Sequence, residues 1–462
     1  MTTLHRGLAA RILAPTALAA TLAAFAAFGA APARADDAQL RALTERELPS
    51  LLTLYKELHA APELSRFEEK TAARLAAELR PLGYEVTTNI GRYFVPSWQG
   101  HGVAAVLRNG PGPTLLIRGD MDALPVEERT GLPYASKARM KNEAGIEMPV
   151  MHACGHDVHV TALVGVARNM VRMKDRWSGT LVLIGQPAEE TIDGAIAMLR
   201  DGLYQRVPKP DAALALHVFG DLPAGRVGVT PGYAMAQSTQ MDVIVRGVGG
   251  HGSRPEEAKD PVVLAANIVV QLQTIVSREV SPFDQAVVTV GTIQGGTKRN
   301  IIPEEVKLEL NIRTYRESVR QHVIQSVARI SRAAALGAGM PEDRLPIVTV
   351  IDTEYAPAVN NDAELTNRVA TTFRRALGPD AVVELPPVMG SEDFGQLGLD
   401  GEIPVKMFRV GATNPERYAR AKAAGEIPPS AHSPLFAPDP EPTIRTGVVA
   451  MTAAALDFLA RR

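Results

Sequence analysis

The stretch Thr114-Leu115-Leu116-Ile117-Arg118-Gly119-Asp120-Met121-Asp122 is an apolar run that stops abruptly in two carboxylates. A short run without polar alternation reads as a strand buried on both faces of its sheet. Residues 103–107, 181–185 and 212–216 have the same character, each bounded by turn residues. Helical patterning at 40–59 and 68–82 precedes them. Such alternation predicts an α/β fold whose parallel or mixed sheet is sandwiched by helices.

The pattern changes beyond Gly228. Residues 240–245 alternate as a strand, and 260–279 place Val262, Ala265, Ala266, Val269, Leu272 and Val276 at helical spacing. Strands follow at 286–293 and 306–312, the second with Val306, Leu308, Leu310 and Ile312 on one face, then a helix at 318–336. This is a two-layer α+β module inserted into the larger domain. The α/β pattern resumes from about residue 345, with a helix at 363–377 and a strand at 405–410. Gly- and Pro-rich stretches at 221–232 and 337–346 are the hinges. The expected divisions are thus 36–228 and 343–462 for the two halves of the large domain, and 229–342 for the insert.

Residues 1–35 read as a signal peptide. Arg6 and Arg11 precede an Ala-rich apolar stretch, and Ala33-Arg34-Ala35 supplies a cleavage pattern ahead of Asp36-Asp37. A retained membrane anchor is the alternative, because the stretch approaches the length of a span. No other segment reads as apolar enough to cross a bilayer, so no stable membrane insertion is expected after cleavage. Cleavage implies export, to the periplasm first and to the medium second. Three of the 49 basic residues lie in this leader; the remaining 46 face 51 acidic residues, a net charge of −5. That balance argues against nucleic acid, which needs a basic face. A hydrophobic content of 46% is ordinary for a globular chain. With one cysteine, Cys154, no internal disulfide can form.

Cys154 sits in Met151-His152-Ala153-Cys154-Gly155-His156-Asp157-Val158-His159, three of the chain's ten histidines in one short stretch. Cys and His suit borderline metals such as zinc, manganese, cobalt or nickel. A helix start with incidental polar residues is the bland reading, and a cysteine nucleophile activated by histidine is another. Gln186-Pro187-Ala188-Glu189-Glu190 follows a buried strand, where ligands bind in open α/β sheets. Adjacent carboxylates there can divide labour, one holding metal while the other takes a proton from water. His217 ends the run at 212–216, and His432 lies in Ser430-Ala431-His432-Ser433-Pro434. Asp122 is placed to orient a ligating histidine through its second ring nitrogen. Inside the insert, His251 occupies a Gly-rich turn, while Asn300 and Arg313 offer an amide and a guanidinium suited to a carboxylate.

Together these stretches resemble the metallopeptidase family of hippurate hydrolase, plant indole-acetyl-amino-acid hydrolases and bacterial N-acyl-amino-acid amidohydrolases. The matching segments run in family order over nearly all of the chain beyond the leader, from His59-Ala60-Ala61-Pro62-Glu63 through Met389-Gly390-Ser391-Glu392-Asp393-Phe394 to His432. The resemblance implies a di-metal catalytic domain and an inserted lid that also dimerises, hence a homodimer or higher homo-oligomer. It implies two divalent ions held by Cys154, His156, Glu190, His217 and His432, with Cys154 able to bridge them. It makes Glu189 the general base and sends His251 to the oxyanion, in one arrangement from a partner subunit. Asn300 and Arg313 would hold the carboxylate of an N-acyl-L-amino acid or short peptide. An exported, non-catalytic peptide-binding protein on the same fold is the rival reading. Two stretches depart from the pattern, 137–148 and 415–429, and both are expected as rim loops that shape substrate choice.

Overall fold

The computed structural model describes residues 35–461; apart from Ala35, the expected signal peptide lies outside the described residues. The large sheet has eight strands in the order Glu85–Ile90, Gly102–Asn109, Gly179–Gln186, Thr114–Asp120, Ala212–Pro223, Val405–Thr413, Val227–Val229, Val382–Glu384. The inner strands Gly179–Gln186, Thr114–Asp120, Ala212–Pro223 and Val405–Thr413 are parallel to one another, and Gly102–Asn109 pairs antiparallel at their flank. The sheet is therefore mixed.

Its apolar runs are continuous because both faces are covered. Leu115, Ile117, Leu181, Leu183, Leu214 and Leu216 enter one core, with residues of the helices Ala35–Ala60, His156–Arg172, Ala363–Leu377 and Pro440–Phe458. Their neighbours Leu116, Val182, Ile184, Ala213 and Ala215 enter a second core, with Met198, Leu203 and Phe394. Successive strand residues point to opposite faces, so each run feeds both cores at once.

A separate antiparallel sheet has the order Ala286–Gly295, Glu305–Thr314, Gln237–Arg246, Ile347–Ala356. In register, Met241 faces Leu310, Val243 faces Leu308 and Val245 faces Val306. These residues are buried beneath the helices Pro261–Thr274 and Glu317–Gly337. The opposite face holds Lys307, Glu309, Asn311 and Arg313, which are only half-buried. The Ile347–Ala356 strand pairs with Gln237–Arg246, so the smaller sheet runs past the expected boundary at residue 342. The α/β pattern resumes later than about 345.

The segment Pro261–Glu279 is long and apolar enough to cross a membrane by length and composition, which corrects the expectation that nothing beyond the leader is. Leu264, Ala265, Ile268, Leu272 and Ile275 fill the smaller core. The outer residues Val262, Val263, Val270 and Val276 are exposed. Two apolar sides on one helix give the high hydropathy.

Candidate metal centre

The ligand-type residues converge where the parallel strands end. The Thr114–Asp120 strand delivers Asp120 and, two residues on, Asp122. Asp122 accepts from Ser65 Oγ at 2.7 Å and from the Glu190 backbone N–H at 2.9 Å. Its Oδ1 lies 3.2 Å from His156 Nδ1, leaving His156 Nε2 among the carboxylates of Asp120, Glu189 and Glu190 at 3.5 to 3.9 Å. The sharp turn before the His156–Arg172 helix rests on Gly155, at φ 82°. A Cβ there would stand 2.4 Å from Val218 Cγ2, so glycine is required by conformation and by space.

His217 lies within a strand that continues to Pro223, rather than closing it as its apolar run suggested. Its Nδ1 donates to the Val218 carbonyl at 2.8 Å, and its Nε2 lies 3.5 Å from Cys154 Sγ. His432 arrives from a distant loop with φ 69°. Its backbone N–H donates to the Ala153 carbonyl at 2.8 Å, and its Nε2 approaches Glu190 Oε2 at 3.3 Å. Cys154, His156 and His217 offer donor atoms all within 4.8 Å of one another, and so do Cys154, Glu190 and His432. The two trios share Cys154. A cavity of about 430 Å³ opens onto Cys154, Glu189, Glu190, His217, Arg313 and His432.

This donor set fits divalent metal. His156 Nε2 and Glu190 Oε1 are buried without a hydrogen-bond partner among the described residues, and such groups rarely go unsatisfied. Burial drives His217 well below the usual imidazole range, which keeps its nitrogen free to ligate. Burial opposes a charged His156, but Asp120 and Asp122 outweigh it and raise its pKa to about 10. Burial, then the nearby Glu392 and Glu190, hold Glu189 well above the usual carboxylate range. Negative charge is thus packed more densely than the side chains alone can balance, as a site built for cations requires.

Arg313 reaches the same cavity from the open face of the smaller sheet. Its Nη1 donates to Ser391 Oγ at 2.8 Å, and its Nε to Asn311 Oδ1 at 2.7 Å. His251 and Asn300 are elsewhere. His251 is opposite Ile301 in a two-stranded ladder, Gly252 donates to the Asn300 carbonyl, and both residues are exposed and do not line this cavity.

One buried group had no assigned role. Arg118 is fully buried and donates through Nη1 to Asp120 at 2.6 Å, through Nη2 to Glu392 at 2.7 Å and Asp393 at 3.2 Å, and through Nε to Gln186 at 2.8 Å. Asp120 in turn accepts from His159 Nδ1, and His159 Nε2 accepts from the Val218 N–H at 2.9 Å. The signal was an arginine inside an apolar strand, which must be paired to be buried.

The profile of peptidase family M20/M25/M40 matches residues 116–426, which contain four of the five candidate ligands in full and stop just short of His432. The chain belongs to peptidase family M20. A thermostable carboxypeptidase of Saccharolobus solfataricus is 34% identical over 88% of this chain and 95% of its own length. An IAA-amino acid hydrolase of Arabidopsis thaliana is 33% identical over 84% of this chain and 80% of its own. The crystal structure of the Bacillus subtilis YXEP protein, a dinuclear metal binding peptidase from the M20 family, superposes with a TM-score of 0.71. It is 27% identical and is covered over 99%, against 91% of this chain. This M20 chain is accordingly a metal-dependent hydrolase of amides that uses divalent metal. The resemblance read from the sequence motifs and the mixed sheet with its smaller module both stand.

Proposed function

We propose that this M20 hydrolase cleaves the amide bond of N-acyl-L-amino acids, hippurate-like in kind, or of short peptides ending in a free carboxylate. Arg313 carries this reading. It lies in the cavity of Glu189 and the ligand cluster, and its hydrogen-bond partners among the described residues, Asn311, Met389 and Ser391, carry no charge. A half-buried guanidinium without a counter-ion is suited to a substrate carboxylate.

Cys154, His156, Glu190, His217 and His432 would hold two divalent ions of the zinc, manganese, cobalt or nickel class, Cys154 belonging to both donor trios. When bound, these supply Lewis acidity at the carbonyl and acidify the attacking water. Glu189 takes the proton of that water and later delivers it to the leaving amine; its raised proton affinity in a dry site suits both transfers. Asp122 holds the His156 ring through Nδ1 and leaves Nε2 available as a ligand. Arg313 grips the substrate carboxylate. His251 and Asn300, exposed and outside the cavity, act from a second subunit, with His251 donating to the oxyanion and Asn300 to the carboxylate. The outward apolar stripe of the Pro261–Glu279 helix supports a homodimer. The leader composition supports export to the periplasm.

The test is Glu189→Gln, assayed on a panel including hippurate with metal content measured in parallel. The variant is expected to keep its metal and lose turnover by at least about 10²-fold. Full activity in that variant would remove Glu189 as the base.

A further inference from the structure

A second cavity, of about 520 Å³, lies against the metal centre and shares Glu190 with the first. Its walls are Leu64, Phe67, Ala123, Leu124, Pro125 and Met148, closed by the tip Asn142-Glu143-Ala144 of the hairpin formed by Arg139–Lys141 and Glu147–Pro149. The expected rim loop at 137–148 is therefore an ordered hairpin, with Met140 opposite Met148. It is fastened from below, because Ala138 and Met140 pack against Leu64, Ala123 and Val150. Of the described cations, only Arg66 lines this space, and it is committed elsewhere. Its Nη2 donates to Asp193 at 2.8 Å, its Nη1 pairs with Glu143, and its guanidinium lies 3.8 Å from the centre of the Trp98 ring.

The two cavities thus differ in kind on either side of Glu190. The first offers an arginine whose partners, Ser391 and Asn311, are neutral. The second offers apolar walls and a guanidinium already neutralised by two carboxylates. An amide held at the metal centre must send its two halves in different directions. On the amidohydrolase reading above, the amino-acid half takes the first cavity through Arg313.

We propose that the second cavity receives the acyl half of the substrate, and that the 139–149 hairpin, held by the Arg66–Glu143 pair, selects apolar acyl groups of benzoyl or medium-chain size. A volume of this size is ordinary for a small-molecule site, and far exceeds what an acetyl group fills. Each methylene moved from water onto such walls raises kcat/KM by about fourfold until the space is full.

The experiment compares N-acetyl, N-butyryl, N-octanoyl and N-benzoyl derivatives of one amino acid on the wild type, Ala144→Trp and Met148→Trp. Ala144 is exposed at the hairpin tip, so its variant tests the cavity without disturbing the core. In both variants the octanoyl-to-acetyl ratio of kcat/KM is expected to fall at least about tenfold. A ratio unchanged within about twofold in both overturns the proposal. If the wild type cleaves none of the panel, the N-acyl-amino-acid reading of the substrate fails instead. Titration of sodium octanoate into each protein by calorimetry then judges the cavity alone. Saturable binding by the wild type that weakens in both variants supports it, and equal or absent binding in all three overturns it.

Discussion

Replacing Arg118 by methionine leaves Asp120 and Glu392 facing each other at the base of the metal centre with no cation between them. Asp393 adds little, since burial already holds it well above the usual carboxylate range. Removing one partner of a buried ion pair costs about 3–5 kcal/mol, and Arg118 serves two partners at 2.6 and 2.7 Å. The upper part of that range is therefore expected, a fall in Tm of roughly 4–6 °C for a chain of this size. The pH dependence fixes the cause. Burial would raise Asp120, but Arg118 and the neighbouring histidines outweigh it and hold the carboxyl well below its usual range. Its stabilisation is present at neutral pH and is lost only as pH falls through that depressed value. In the variant the buried carboxylates take up protons instead, so the Tm gap should narrow between about pH 8 and about pH 5. Arg118→Lys should recover little, because one ammonium cannot span the four separated acceptors Asp120, Gln186, Glu392 and Asp393. Thermal unfolding by circular dichroism, on chelated protein, reads all of this. A Tm within about 2 °C of wild type at both values, or a gap that widens in acid, would refute the reasoning.

Gly155→Ala forces a Cβ to 2.4 Å from Val218 at a positive φ; at about 1–2 kcal/mol for the backbone alone, the turn between Cys154 and His156 should distort, and mass spectrometry should find metal content well below wild type. Arg313→Leu should raise KM at least about tenfold for substrates with a free carboxylate, and should scarcely change it for the matching carboxamides, as steady-state kinetics on both series would show. His59 is held between Asp157 at 2.7 Å and Glu128 at 3.0 Å, and these carboxylates overcome burial to raise its pKa to about 10. His59→Gln should cost about 3–5 kcal/mol near neutral pH. Because the folded pKa lies above the unfolded one, that contribution is complete below about pH 6.5 and fades as pH rises through 10, so the Tm gap should shrink in alkali.

The large sheet was legible because its strands are buried on both faces, and runs such as 181–185 then carry no competing pattern. The Ile347–Ala356 strand escaped notice for the opposite reason. It is an edge strand whose side chains are mostly exposed or half-buried, so no alternation marks it. Cys154, His156, Glu190, His217 and His432 could be gathered in advance because the family resemblance carries each of them, whereas residue type alone left the Glu189–Glu190 pair and each single histidine with a structural alternative. The partnership of Arg118 with Glu392 spans 274 positions, and spacing along the chain says nothing about it. His251 and Asn300 show a different limit. A Gly-rich turn fixes local backbone, but which cavity it faces depends on how the inserted module sits on the larger domain.

His432 is placed by its backbone N–H docking on the Ala153 carbonyl, and it follows Cys154, His156 and His217 far along the chain. A half-made chain therefore holds Cys154, His156 and His217 without the closing ligand. On the proposed ligand set, tight capture of a second ion would wait for the segment carrying His432 to dock. With affinities for first-row metals graded by chemistry rather than by need, the metal acquired is the one abundant where that final docking occurs. On that ligand set the address at which folding finishes would become a determinant of catalytic identity, and refolding the same polypeptide in a different metal pool should yield a differently loaded enzyme.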